Sequence, residues 1–167
     1  DPDKNPALAS AIAQYIHCEE GIRIHNLFCF DPRLEQVGMW YRELLAESLG
    51  KDGKGITPIV SIGTADLHSM AQLYFGGPRD KMTTLVQVHG VHDLMAPIYE
   101  GVRATYQELK LPFVEVRLTR LDAAAVGAFL QFKMIEVMYL GQLMGVNAFD
   151  QPDIEEYKQR VRYAHAS

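Results

Sequence analysis

The chain has 167 residues, of which 48% are hydrophobic and 22% charged, as is typical of one globular domain with a substantial core. Its formal net charge of −5 argues against broad binding to nucleic acid or anionic membranes. Two cysteines are too few for a disulfide framework, so we expect a reducing, cytoplasmic compartment. We find no signal-peptide pattern and no unbroken apolar run of about 18 residues.

The N-terminal residues DPDKNP are polar and include two prolines. Residues 1–6 therefore resemble a linker, and the chain opens on Asp1 rather than on a methionine. We predict that residues 1–167 form a single domain taken from a longer protein and that residues 1–6 are a linker remnant.

Helices and strands are predicted to alternate along the rest of the chain. The predicted strands are Ile22–Phe30, Thr57–Gly63, Met82–Gly90 and Phe113–Leu118. The predicted helices are Pro6–Glu20, Pro32–Glu47, a segment from Thr64 or Asp66 to Gly76, Leu94–Leu109, Asp122–Gly145 and Gln151–Ala164. Each strand is a short apolar run, which is typical of burial on both faces. The sequence therefore predicts an α/β three-layer sandwich with a four- to five-stranded parallel sheet, in which ligands bind at the carboxyl ends of the strands.

The segment LAESLGKDGKG, residues 45–55, places a carboxylate at the end of a predicted helix. Gly50 is expected to end this helix in the left-handed conformation. The negative end of the helix and the charges of Lys51 and Lys54 act on Glu47 in opposite directions, which is one way to tune a general base. On this segment alone, a solvated helix end with a polar turn is the favoured interpretation.

Three further residues are candidates by position. His68 follows the second predicted strand in the first turn of a helix, at the edge where ligands bind in such folds, but a polar histidine at a helix start is an equal alternative. Gln151 and Lys158 are seven residues apart on the last predicted helix, so both project from one face. Taken alone, Lys158 is better explained as a surface charge.

The sequence gives little support for a metal site or a nucleotide-binding site. His89 and His92 have a spacing that suggests zinc, yet two histidines and an aspartate form a weak pattern. His17, His25 and His165 have no companion ligands in the sequence and are expected to be structural. No dinucleotide fingerprint, P-loop or G-x-S-x-G motif is present.

A family resemblance is carried by the segments AESLGKDGKGITP (46–58), DLHSMAQLYFGGPRDK (66–81) and GVNAFDQPDIEEYK (145–158). Together they resemble the C-terminal half of glucose-6-phosphate isomerase, particularly of its bacterial members, and they occur in the family's order. The last segment is similar to the family's second signature, in which phenylalanine-aspartate-glutamine precedes a lysine. The resemblance covers nearly the whole chain.

The resemblance implies a flavodoxin-like sugar isomerase (SIS) domain. It also implies interconversion of glucose 6-phosphate and fructose 6-phosphate through a cis-enediol, without a metal or other cofactor. Glu47 matches the base that moves a proton between two sugar carbons. His68 matches a histidine that assists ring opening across a dimer interface, Lys158 the lysine that acts with it, and Gln151 a substrate-contacting glutamine. The implied partners are a sugar phosphate, a second copy of the chain and an N-terminal SIS domain, with no nucleic acid or membrane.

Three positions depart from the family's pattern. Glu43 replaces a glutamine four residues before the base, and we count it among the candidate substrate-binding residues. Leu67 replaces a glutamine before His68, and Asp153 replaces a glycine of the signature. Because nothing in the chain resembles the family's phosphate-binding loop or its catalytic arginine, the isolated chain is expected to be inactive. A non-catalytic sugar-phosphate-binding module and an isomerase that also accepts mannose 6-phosphate are the alternatives.

Overall fold

A computed structural model of the chain describes residues 1–89 and 94–166. The strands are β1 (Ile24–Cys29), β2 (Thr57–Ile62), β3 (Lys81–Val88) and β4 (Phe113–Leu118). The helices are α1 (Pro6–Glu19), α2 (Glu35–Leu49), α3 (Ala65–Ser69), α4 (Ala71–Gly76), α5 (Met95–Glu108), α6 (Ala123–Met144) and α7 (Pro152–Ala166). Short 3-10 turns at Pro2–Lys4 and Pro32–Leu34 precede α1 and α2.

The described strands form one parallel sheet in the order β2-β1-β3-β4. Ile24, at the start of β1, aligns with Thr57 of β2 on one side and with Lys81 of β3 on the other. Parallel neighbours require crossover connections, which the helices supply. The predicted α/β sandwich with a parallel sheet is confirmed, and the described residues contain four of its strands.

Helices cover both faces of the sheet. On one face α1, α2 and α6 pack around a core that includes Tyr41, Leu45 and Leu140. On the other face α4 and α5 contribute Tyr74 and Tyr99, which pack with Phe28 of β1 and its neighbours. These side chains are at most 5% exposed, and burying an apolar one such as Leu45 or Phe28 stabilises the fold by roughly 1.5–3 kcal/mol.

Helix α6 is the one described helix that is long and apolar enough to be a candidate membrane span. It packs against α1 and α2, and it carries a buried ion pair in which Lys133 Nζ lies 2.6 Å from Glu136 Oε2. Ser10 Oγ and Gln14 Nε2 of α1 both donate hydrogen bonds to Glu136 Oε1. These contacts are those of a helix packed on a protein core.

One predicted helix is divided. The segment after β2 forms two short helices, α3 and α4, which are separated at Met70 with φ −121°. Asp66 stabilises the first of them, because its Oδ2 accepts a hydrogen bond of 2.7 Å from the backbone N–H of Ile62. His68 lies in α3, in the first turn after β2 as predicted, and its side chain is exposed.

Candidate active site at the amino edge of the sheet

The direction of the helices decides which candidate residues can meet. Helix α2 connects the carboxyl end of β1 to the amino end of β2, so its last turn lies at the amino edge of the sheet. Helix α6 likewise runs back from the carboxyl end of β4. The loop after α2 and the loop after α6 therefore come together at the amino edge.

Glu47 and Gln151 meet at this edge. Gln151 Nε2 donates a hydrogen bond of 2.6 Å to Glu47 Oε2, although the two residues are 104 positions apart in sequence. Glu47 is half-buried in the last turn of α2, whereas Gln151 is exposed and immediately precedes α7. Gln151 was predicted to lie on the last helix and does not, because α7 begins at Pro152.

The contact borders a cleft of about 220 Å³. Glu43 also lines it, one helical turn before Glu47 on the same face of α2. Its remaining lining residues include Trp40, Ser48, Phe149 and Asp150. Two neighbouring clefts of about 690 and 250 Å³ are lined by Glu47 as well. The arrangement offers a carboxylate with one oxygen held by an amide and with space for a ligand around it.

A tight turn follows the helix that carries Glu47. The backbone N–H of Lys54 donates a bond of 2.8 Å to the carbonyl of Lys51, and the two residues between them, Asp52 and Gly53, both have positive φ. Gly50 ends the helix with φ −76°, so its predicted left-handed conformation is wrong. A glycine is required there for another reason, because a Cβ at this position would lie 2.8 Å from the carbonyl oxygen of Ala46.

The two lysines of this turn contact the α6–α7 loop. Lys51 Nζ donates to the carbonyl oxygen of Asn147 and lies 3.0 Å from Asp150 Oδ1. Lys54 Nζ donates a bond of 2.9 Å to the carbonyl of Met144, at the negative end of α6. Both lysines, which were predicted to influence Glu47 by their charge, thus make their polar contacts with a distant loop.

The structure does not bring His68 or Lys158 into this cleft. His68 follows the carboxyl end of β2, whereas Glu47 lies at the amino end of that strand, and a six-residue strand is about 20 Å long. Lys158 is exposed on α7, where its Nζ lies 3.5 Å from Glu155 Oε1. His68 therefore lies at the edge where ligands generally bind in such sheets, and Glu47 lies at the opposite edge.

No metal centre is found among the described residues, which contain no group of three or more histidine, cysteine, aspartate or glutamate side chains placed to hold an ion. His89 immediately follows β3, and its candidate companion His92 lies outside the described residues.

Comparison with known proteins identifies relatives over nearly the whole chain. It is 32% identical to a probable glucose-6-phosphate isomerase of Methanococcus maripaludis over 93% of its length. It is 31% identical to the glucose-6-phosphate isomerase of Methanocaldococcus jannaschii and 32% identical to that of Rubrobacter xylanophilus. The chain is homologous to a part of the glucose-6-phosphate isomerases.

The resemblance carried by the three segments is thereby confirmed. The chain spans about two fifths of the length of these relatives, namely 40%, 44% and 43% respectively. No family model matches the chain.

Solved structures show the same fold. A hypothetical protein of Thermus thermophilus matches with a TM-score of 0.79 and 29% identity over 93% of the chain and 44% of that protein. A glucose-6-phosphate isomerase of Chlamydia trachomatis matches with a TM-score of 0.87 over 96% of the chain and 38% of that protein. Its identity is 15%, so this second likeness shows the fold alone.

The family's pattern did not single out several residues that build the cleft. Trp40 precedes Glu43 by three residues and Glu47 by seven, and this helical spacing was a usable signal. Phe149, which is 78% exposed, and Asp150 stand inside the signature and could have been found there. Lys51 gave no such signal, because its contact at Asn147 is 96 residues away.

Proposed function

We propose that this chain supplies the proton-transfer part of a glucose-6-phosphate isomerase active site. The observation that carries the proposal is the hydrogen bond between Gln151 and Glu47 in an open cleft. Homology to a part of proteins named glucose-6-phosphate isomerase supports it.

Glu47 is the proposed base. A single carboxylate can remove the proton from the second sugar carbon and return it to the first on the same face of a planar cis-enediol. Because Oε2 is held by Gln151, we assign the proton transfer to Oε1. Gln151 also presents its amide to the substrate hydroxyls, and Glu43 adds a second carboxylate at the rim.

His68 and Lys158 are proposed to open the sugar ring by stabilising charge on its oxygens. The separation of His68 and Glu47 at opposite edges of one sheet supports a homodimer in which each site takes His68 from the second chain. Lys158 lies two helical turns beyond Gln151 and would reach the same substrate when α7 is packed in that assembly.

The phosphate is proposed to bind to an N-terminal SIS domain of the same protein. The relatives' greater length supports this arrangement, and so does the lack of any resemblance here to the family's phosphate loop. Substrate positioning supplies much of the rate of such reactions, so the 167-residue chain alone should not turn over measurably. The protein would act in cytoplasmic glycolysis and gluconeogenesis.

A coupled assay tests this proposal. The product of the complete reading frame should convert fructose 6-phosphate to glucose 6-phosphate, and the 167-residue chain should not. Binding of both sugar phosphates by the complete product without turnover would instead establish a non-catalytic binding module. Turnover of mannose 6-phosphate in the same assay would show the broader substrate range.

A further inference from the structure

The loop that carries Gln151 is tied to the turn after α2 at two places. Lys54 binds the carbonyl of Met144 at one end of the α6–α7 loop, and Lys51 binds Asn147 and Asp150 near the other. Gln151 is the residue directly after Asp150. Whatever fixes Asp150 therefore also fixes the backbone from which Gln151 reaches Glu47.

Lys51 is placed to be the stronger of these ties. Its side chain is only 5% exposed, and a buried ammonium group is costly unless charged and polar groups surround it. Here it meets a carbonyl oxygen and the carboxylate Oδ1 of Asp150 at 3.0 Å. The ammonium of Lys51 holds the pKa of Asp150 below its usual range, with a smaller contribution from the amide of Asn147.

The loop itself is ordered around the same carboxylate. Asn147 Nδ2 donates a bond of 2.7 Å to Asp150 Oδ2, and Asn147 Oδ1 accepts one of 3.1 Å from the backbone N–H of Phe149. Both oxygens of Asp150 are thus engaged, one by Lys51 and one by Asn147. Asp150 carries the one carboxylate of loop residues 145–151, and Lys51 and Asn147 contact its two oxygens.

We propose that Lys51 and Asp150 are positioning residues for the isomerase site and set the geometry of the Gln151–Glu47 contact. Neither is assigned contact with the reacting sugar carbons, and both act through Gln151. The catalytic consequence rests on the proposed function, whereas the mechanical consequence, an ordered 147–151 loop, does not.

Two readouts on the complete protein test the proposal separately. In Lys51→Met, amide hydrogen exchange in segment 147–151 should become about tenfold faster, while exchange in β1 and β3 stays unchanged. The turnover number should fall about 10- to 100-fold with little change in KM, because a displacement of about 1 Å near the chemistry has effects of that size. Lys51→Arg keeps the charge and should therefore retain most of the slow exchange and most of the wild-type turnover number.

Lys81→Met is the matched control. Lys81 is also largely buried, at 10% exposure, and contacts a carboxylate, that of Asp80, and a carbonyl, that of Pro78, but it does not line the cleft. Lys81→Met should leave both the amide exchange of segment 147–151 and the turnover number near their wild-type values. Should Lys51→Met fail to fold, Asp150→Asn replaces it, because Asp150 is 51% exposed and its replacement is nearly isosteric.

The outcomes separate the two claims. If the wild-type protein has no isomerase activity but exchange at 147–151 is faster in Lys51→Met, the ordering of the loop by Lys51 is supported and the proposed function is refuted. Unchanged exchange and a turnover number within about twofold of wild type in Lys51→Met would overturn the positioning role. A loss of activity equal to that of Lys81→Met would overturn it as well.

Discussion

Gln151 donates a hydrogen bond of 2.6 Å to Glu47 across a separation of 104 residues, and this contact joins the end of α2 to the start of α7. It lies at the amino edge of a parallel sheet, opposite the edge where His68 follows β2. One chain therefore presents two distant parts of the proposed chemistry. In the proposed homodimer, these parts would come from different copies of the chain.

Subunit mixing tests this division of residues. Glu47→Gln and His68→Gln should each inactivate the complete protein. After the two variants are unfolded and refolded together, half of the dimers should be mixed, and each mixed dimer should hold one site with both native residues. About a quarter of wild-type activity should return, measured in the coupled assay. If no activity returns although mixed dimers are seen by native mass spectrometry, both residues serve the same chain's site.

The pH dependence of stability should reveal His25. Burial lowers the pKa of His25 well below 6.5, and the nearby charge of Lys133 lowers it further. Tyr41 and Thr84 hydrogen-bond its two ring nitrogens, so the folded protein holds it neutral. The unfolded chain binds this proton below about pH 6.5 and the folded chain does not, so stability present above that pH is lost as the pH falls.

The expected loss from this histidine is about 1.4 kcal/mol of unfolding free energy between about pH 7.5 and 5.5. Urea unfolding of wild type and of His25→Gln at both pH values isolates it, because the other histidines are common to both proteins. Equal pH dependence in the two proteins would show that His25 is not held neutral.

The buried pair of α6 should be sensitive to removal of one partner. Lys133→Met leaves the carboxylate of Glu136 without its cation, which typically costs about 3–5 kcal/mol of unfolding free energy. Lys133→Met combined with Glu136→Gln should recover most of this loss, because the amide still accepts from Ser10 and Gln14.

Arg120→Met serves as the control for this pair. Its partner Asp122 lies 2.5 Å away in an exposed pair, and such pairs contribute about 0–1 kcal/mol. Urea titration of all four proteins makes the comparison. A loss in Lys133→Met no larger than that in Arg120→Met would show that the buried carboxylate finds another partner.

Both cysteines should resist alkylation in the folded chain. Cys18 and Cys29 are buried, and burial raises the pKa of the Cys29 thiol to about 12. Since the thiolate is the reactive form, iodoacetamide at about pH 8 should modify neither residue until urea unfolds the chain. Mass spectrometry counts the added groups, and rapid labelling without urea would contradict the burial of Cys18 in α1 or of Cys29 in β1.

Much of the fold could be predicted from local pattern. The four strands could be predicted because each is an apolar run between turn residues. Helix α2 could be predicted because its apolar residues recur at helical spacing, although Asp31 and Pro32 start the 3-10 turn before it and α2 itself begins at Glu35. Gly50 was a weaker guide to the backbone conformation after α2. Several glycines lie in residues 45–55, and local sequence did not show that the left-handed residues are Asp52 and Gly53.

The site required information that local sequence lacks. That Glu47 and Gln151 serve one site was expected only through the family resemblance, and the hydrogen bond between them was not predicted. The amino-edge location follows from the direction of α2, which the general rule for such sheets does not take into account. The role of Lys51 depends on a contact made by tertiary folding, so its charge was assigned to its neighbour Glu47 instead.

The most direct test of the account compares Glu47→Gln with Glu43→Gln in the complete protein. The two carboxylates line the same cleft one helical turn apart, so the second variant controls for loss of charge. Glu47→Gln should lower the turnover number about 100- to 10,000-fold while fructose 6-phosphate still binds, because general base catalysis contributes a factor of that size. Glu43→Gln should retain turnover within about tenfold of wild type. Full activity in Glu47→Gln would contradict the assignment of Glu47 as the base.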